Sequence, residues 1–362
     1  AVTIIDNWKK SKTETPVEEK PKEPKPLDIQ QIRDDLFARG WLPEHINGLT
    51  ENEVVALHAQ GQTLQEAIAD LEFDAKFAEA DKKVRALIKT LQENLKKNKV
   101  EKVKGGYEQN GNKIPRVSDI VREILQKKFT NTAAANRGNV LDPIFRDFFD
   151  GKLTTPEDVK QKLEELANTV DPESGEKMMQ YSATFPTELY NTMASVKDYL
   201  KKKGYKVIGG IPTLFGDIAG PRAGEIDFLI YNEKGELGII DLKTSTRNLV
   251  DSYNDPADEY QYERGHTIQQ LAYRELIRQA TGEDITDIYI LPIQLTTNSA
   301  GVVKGLTSLN TGTAENPSIL LKLNTSRDIF EVTGYGRPAG SELTRTQEEE
   351  DALAEAEKAK QE

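Results

Sequence analysis

Cysteine is absent from all 362 residues. That excludes disulfides, thiolate zinc sites, cysteine-ligated iron–sulfur clusters and cysteine nucleophiles together. Histidine is almost absent as well. His45, His58 and His266 are scattered, which disfavours both a histidine-built metal centre and a Ser/His/Asp arrangement. Any metal would therefore be held by oxygen ligands, a set that suits Mg²⁺ or Mn²⁺. No apolar run approaches the roughly 20 residues of a membrane span, so no membrane partner is expected. The start, Ala1 to Trp8, lacks the basic n-region and apolar stretch of a signal peptide. Its first residue is alanine rather than methionine, as in a processed product or a piece of something longer. There is no Gly-x-x-x-x-Gly-Lys-[Ser/Thr] loop, hence no helicase motor, and the glycines between 204 and 216 lack a dinucleotide fingerprint.

What is present suits a globular core with polar extensions: 37% of residues are apolar and 30% charged. The length allows one large domain plus a smaller one. The net charge of −12 is unevenly spread. Residues 81–130 hold fourteen Lys and Arg against six Asp and Glu, whereas residues 341–362 hold three against eight. The basic stretch is either a nucleic-acid track or the solvated face of a helix.

Four segments follow from composition. Residues 1–27 read as a disordered Lys/Glu/Pro linker, with Val2 to Trp8 as a docking peptide or the end of a preceding module. Residues 28–104 read as an all-α N-terminal extension. Three short helices are punctuated by Gly40, Gly48 and Gly61, with capping boxes at Thr50–Glu53 and Thr63–Glu66. A longer amphipathic helix follows, with Phe77, Val84, Leu87, Ile88, Leu91 and Leu95 on one face. Residues 105–112 form a turn-rich break. Residues 105–335 then read as an α/β domain with helices over 117–128, 137–149, 188–203 and 267–280. Its strands are expected over 205–209, 225–231, 237–243, 287–295 and 318–323. Residues 336–362 are an acidic tail.

Within the α/β domain, two apolar runs flank the polar loop Asn232–Glu236, the pattern of a β-hairpin. With Lys234 at the loop centre, Asp227 falls opposite Asp241. Like charges directly across a hairpin are unfavourable, and a chain that keeps two acids there usually has a cation to put between them. Lys243 shares the face of Asp241, because strand side chains alternate with period two. An exposed strand salt bridge between Asp241 and Lys243 explains poorly why Ile240 and Leu242 make the other face look buried. Glu225 shares the face of Asp227 and is either near the site or solvated.

At these residues the chain resembles the PD-(D/E)xK nuclease superfamily, in its RecB-like exonuclease branch, which includes CRISPR-associated and AddB-like nucleases. Arg137-Gly-Asn-Val-Leu-Asp142 resembles the opening helical motif, and Pro115–Val121 the segment that often precedes it. Ala223–Asp227 resembles the central aspartate motif, Asp241-Leu-Lys243 the acidic-x-Lys signature, and Gln269–Tyr273 the Gln-x-x-x-Tyr motif. The resemblance spans residues 113–325. It implies a restriction-endonuclease-like mixed central sheet flanked by helices, and a Mg²⁺-dependent (or Mn²⁺-dependent) deoxyribonuclease, more an exonuclease than an endonuclease. It implies that Asp142, Asp227, Asp241 and the Leu242 carbonyl hold the ion, and that Asp227, Asp241 and Lys243 are catalytic. Gln269 and Tyr273 would contact the DNA backbone and brace the lysine.

The pattern usually has histidine where Asp142 stands. Asp142 is thus either an oxygen ligand or a residue that caps or turns the chain before Pro143, with Asp147 in reserve. His266 is read as structural or DNA-facing. The family's frequent iron–sulfur cluster cannot exist here. DNA is the expected partner, with a protein partner through the N-terminal helices or linker. A phage or mobile-element setting implies a cytoplasmic or virion location. The competing reading is a structural or partner-binding, virion-associated protein that retains the nuclease fold.

Overall fold

The computed structural model describes residues 29–47, 49–51, 54–55, 58, 63–126, 132–171, 175–255, 261–313 and 318–337. The expected linker, the Val2–Trp8 segment and the acidic tail lie outside the described residues. The chain divides into two compact units between Lys76 and Phe77.

In the first unit the described residues form α1 (Ile29–Ala38), α2 (Pro43–Ile46) and α3 (Leu64–Lys76), with no strand among them. Ile32, Leu36, Ile46 and Val54 make a small buried cluster, edged by Ile29, Trp41, Leu49 and Val55.

The second unit begins with α4 (Ala78–Asn98). Composition grouped this helix with the residues before it, whereas its buried stripe of Ala80, Val84, Leu87 and Leu91 belongs to the second unit. The helix stops where Lys99 turns left-handed, at φ +52°. The next residues, the end of the expected all-α extension (to 104) and the expected turn-rich break (105–112), are instead an antiparallel sheet of β1 (Val100–Val103), β2 (Gly106–Gln109) and β3 (Asn112–Ile114). Only the turns were legible. Each strand is three or four residues long and half charged or polar, too short to show its alternation. The alternation is nevertheless there: Val100, Tyr107 and Ile114 face inward against Phe215 and Ala223.

Four helices follow: α5 (Val117–Leu125), α6 (Thr132–Phe149), α7 (Pro156–Ala167) and α8 (Phe185–Lys202). Pro143 lies inside α6 and does not end it, so Asp142 sits on a continuous helix rather than at a turn. The main sheet contains β4 (Lys206–Ile208), β7 (Phe228–Tyr231), β8 (Leu237–Ser245), β9 (Asp287–Thr297) and β10 (Val303–Ser308), in the order β10-β9-β8-β7-β4, with β11 (Leu321–Lys322) also on β9. A separate hairpin, β5 (Leu214–Asp217) and β6 (Pro221–Gly224), precedes β7. Strand β7 is antiparallel to both of its neighbours, β4 and β8, and β9 then runs parallel to β8. A parallel pair needs a long crossover, here α9 (Leu249–Asn254) and α10 (Tyr262–Thr281). The described part closes with α11 (Ile329–Thr333). The architecture is mixed α/β, a mixed sheet flanked by helices.

Phe228, Ile230, Ile240, Leu242, Leu291 and Ile293 pack with Leu141, Ile144 and Phe145 of α6 and Leu189, Met193 and Val196 of α8 in one buried cluster. The even-numbered residues of β7 and β8 are thus committed to the core. Period two sends Asp241 and Lys243 to the opposite face, the side that α10 covers.

Candidate active site

The β7–β8 ladder pairs Phe228 with Ile240 and Tyr231 with Leu237. The loop between them is Asn232–Glu236, and one further step of the same register sets Asp227 opposite Asp241. The chain leaves the ladder at that point. Leu242 N–H, which a continued ladder would give to the chain at Ile226, donates instead to Asp227 Oδ2 at 2.9 Å. In an extended strand the N–H and C=O of one residue point the same way, so the Leu242 carbonyl also faces the side where Asp227 lies. Asp227 is 8% exposed and Asp241 3%, so both acids are taken out of bulk water.

Each acid has a cation. Lys243 Nζ lies 2.5 Å from Asp241 Oδ2, an ion pair without the alignment of a hydrogen bond. Arg146 Nη2 donates to Asp227 Oδ1 at 2.7 Å, and its Nη1 reaches Glu225 Oε2 at 3.4 Å. Burial pushes the Asp241 carboxyl up to about 6, with Asp227 adding to the rise and Lys243 and Gln270 opposing it. Burial pulls the Lys243 ammonium down, but Asp241, Asp227 and Asp142 outweigh it and leave Lys243 raised and firmly charged. Its part in this arrangement is that of a donor and a positive charge rather than a base.

Asp142 comes from α6, one helical turn before Arg146, and faces the same group of acids. Its carboxyl makes no hydrogen bond or ion pair with any described residue. Burial and then the charges of Asp227 and Asp241 hold it well above the usual carboxylate range, against the pull of Lys243 and Arg146. Asp147, the reserve candidate, is turned away and pairs with Lys152 at 2.9 Å.

Two glycines set how closely the elements approach. A Cβ on Gly209 would stand 2.7 Å from the Arg146 carbonyl oxygen, so the chain after β4 passes directly beneath the backbone of α6. Asp150 fastens the same crossing by accepting from Gly209 N and Gly210 N, both at 2.9 Å. A Cβ on Gly224 would stand 2.7 Å from Tyr273 Cε1, so α10 lies against the strand that leads into Asp227.

The α10 residues divide differently from the motif. Gln269 Nε2 reaches Tyr273 Oη at a long 3.4 Å. Gln270 is the residue beside Asp241: it is 1% exposed and helps hold that carboxylate charged, yet neither of its polar atoms makes an aligned hydrogen bond. Burial raises the Tyr273 phenol, Gln269 opposes this, and the charges of Asp241 and Asp227 add to it. His266 is hydrogen-bonded through Nδ1 to the Tyr253 hydroxyl. Burial and the neighbouring Lys243 charge hold its imidazole well below its ordinary value, so the ring is neutral. Glu225 is not solvated. It accepts from Lys102 at 2.8 Å, from Thr213 Oγ1 at 3.1 Å and from Arg146.

Arg146 and Gln270 were not legible as site residues. Arg146 had a signal, its position one turn after Asp142. Gln270 had none that set it apart from Gln269. Comparison of the chain with protein-family models, with curated proteins and with solved structures finds no match. Among the described residues, no helix is long and apolar enough to cross a membrane. Nor do three or more His, Asp or Glu side chains gather closely enough to hold a metal ion as they stand. As the side chains stand, Arg146 is paired with Asp227 and Lys243 with Asp241.

Proposed function

We propose that the second unit is a metal-dependent deoxyribonuclease of PD-(D/E)xK type, with a restriction-endonuclease-like sheet and Mg²⁺ or Mn²⁺ as its ion. The observation that carries this reading is three acids, Asp142 on α6 and Asp227 and Asp241 at the open end of the hairpin, near enough to act electrostatically on one lysine, Lys243, with Asp142 left unpartnered. Asp227 and Asp241 face each other where the hairpin opens, and Asp142 meets them from α6 with no partner of its own. Asp227 and Asp241 are buried and each already has a cation, whereas Asp142 is half-buried and has none. The order of elements agrees: three antiparallel strands, then a helical crossover to a parallel fourth.

The donor set fits a hard divalent ion. Every group is an oxygen, Asp142 is free to bind, and Asp241 Oδ2 is shared only with a lysine. The ion would be held by Asp142, Asp227, Asp241 and the Leu242 carbonyl. When bound, it supplies Lewis-acid polarisation of the phosphate and a bound water of lowered pKa. The chain's own residues do the rest. Lys243 offers a fixed ammonium to a water or to a non-bridging phosphate oxygen, offsetting the charge that grows during hydrolysis. Gln270, beside Asp241, favours the charged form of that carboxyl, and Tyr273 is packed on Gly224.

A second reading is a DNA- or partner-binding protein that keeps this fold without cutting. The ion pairs that already satisfy Asp227 and Asp241 favour it. One assay separates the two. Linear and circular, single- and double-stranded DNA are incubated with the full chain in Mg²⁺, Mn²⁺ or EDTA, beside Asp241→Asn and Lys243→Met. We expect cleavage of linear DNA that stops in EDTA and falls roughly a hundredfold or more in each variant. Intact substrates in every lane sink the nuclease reading.

A further inference from the structure

Arg146 poses a question that the proposed site does not answer. Leu242 N–H holds Asp227 Oδ2 through the backbone, and Arg146 grips Oδ1 at 2.7 Å, so each oxygen already has a donor. A divalent ion entering at Oδ1 would stand beside the guanidinium, and like charges that close repel strongly where water screens them little.

Arg146 has somewhere to go. Its Nη1 rests on Glu225, which Lys102 and Thr213 hold independently of Asp227. The arginine side chain is 27% exposed, so its head stands at the wet edge of the site. Its Nε is buried without a hydrogen-bond partner, which leaves a donor unspent. Four acids, Asp142, Asp227, Asp241 and Glu225, stand here against three cations, Arg146, Lys243 and Lys102.

We propose that Arg146 is the exchangeable cation of this site. It holds Asp227 while no divalent ion is present and, tethered by Glu225, turns to a phosphate of the nucleic-acid substrate when one is. This rests on the metal-dependent nuclease reading above, but it makes a demand that reading does not. Removing Arg146 must tighten ion binding while it weakens DNA binding. A residue that merely props up Asp227 would loosen both.

The test uses the full chain and two titrations that need no turnover. Mn²⁺ binding is followed by electron paramagnetic resonance, and binding of a labelled DNA duplex by anisotropy with Ca²⁺ as a non-cleaving stand-in. Arg146→Gln should bind Mn²⁺ several-fold more tightly than wild type. It should bind DNA about tenfold more weakly, with the log–log salt slope shallower by about 1. Arg146→Lys keeps the charge but loses the fork. It should keep wild-type ion affinity and salt slope and lose about threefold in DNA affinity, which decides the matter even if the glutamine variant does not fold. Mn²⁺ binding by Arg146→Gln that is no tighter than wild type overturns the proposal. So does unchanged DNA affinity in Arg146→Lys. Cleavage is scored separately. A wild type that binds ion and DNA but cuts nothing sinks the nuclease reading and leaves Arg146 to be judged by the titrations.

Discussion

Asp142 is the acid of the site that burial and its neighbours push furthest from easy ionisation without giving it a partner in return: its carboxyl is raised well above the usual range, by burial first and then by Asp227. It is held among two other acids with no hydrogen bond or ion pair of its own. Neutralising it should help the metal-free protein and harm the loaded one. Asp142→Asn is expected to raise the metal-free thermal midpoint by about 2 °C, the shift that about 1 kcal/mol gives in a unit of this size. It should also abolish the further rise that Mn²⁺ produces in wild type. A midpoint unchanged in both conditions would mean that Asp142 is not part of the cluster. His266 gives a second test at this scale. Its folded pKa lies well below the ordinary 6.5, because burial and Lys243 oppose its charge. The unfolded chain therefore binds the proton more readily, so this group's contribution to stability is present above pH 6.5 and lost as pH falls below it. With only three histidines in the chain, ring resonances in an NMR titration are easily told apart. One of them should stay neutral through the range in which an exposed imidazole titrates, and His266→Gln should remove that one.

At the scale of the elements, the site depends on two close approaches. Adding a methyl at Gly209 forces it against the backbone carbonyl of Arg146. A backbone atom cannot turn aside as a side chain can, so α6 must shift, and Asp142 and Arg146 shift with it. Gly209→Ala should cost about 1–3 kcal/mol in urea unfolding, in the range for overpacking, and should weaken Mn²⁺ binding even though residue 209 touches no ligand. Gly224→Ala presses on the buried Tyr273 ring at 2.7 Å and on Val117 Cβ at 3.2 Å. This change should displace Tyr273 and likewise lower stability by about 1–3 kcal/mol. The hairpin is the opposite case. Its register follows from the loop and from period two, and Asp227, Asp241 and Lys243 fall where that arithmetic puts them. The β1–β3 sheet shows where such arithmetic fails, since strands of three or four residues carry too few alternations to read.

Taken whole, the chain separates after Lys76. The second unit has its own core, built from α6, α7, α8 and the main sheet, and Phe77 is part of its packing, edge-on to Tyr231 at 5.7 Å. A chain that begins a few residues before Phe77 should therefore unfold in one cooperative transition with a midpoint close to that of the full chain. Loss of that transition in circular dichroism would show that the first unit is needed for the second to fold.

The sequence by itself determined the chemistry available and the local geometry of its centre. With no cysteine and three scattered histidines, only oxygen could serve a metal, and an alternating hairpin about Lys234 could only oppose Asp227 to Asp241. Tertiary structure alone decided which helical residues meet that hairpin. A helix presents a different residue every 100°, so Asp142 rather than Asp147, Gln270 beside Asp241 rather than Gln269, and Arg146 on Asp227 all depend on how α6 and α10 are rotated against the sheet. That rotation is set by contacts such as Gly209 under α6 and Gly224 under Tyr273, which join residues far apart in the chain and leave no mark in any local pattern.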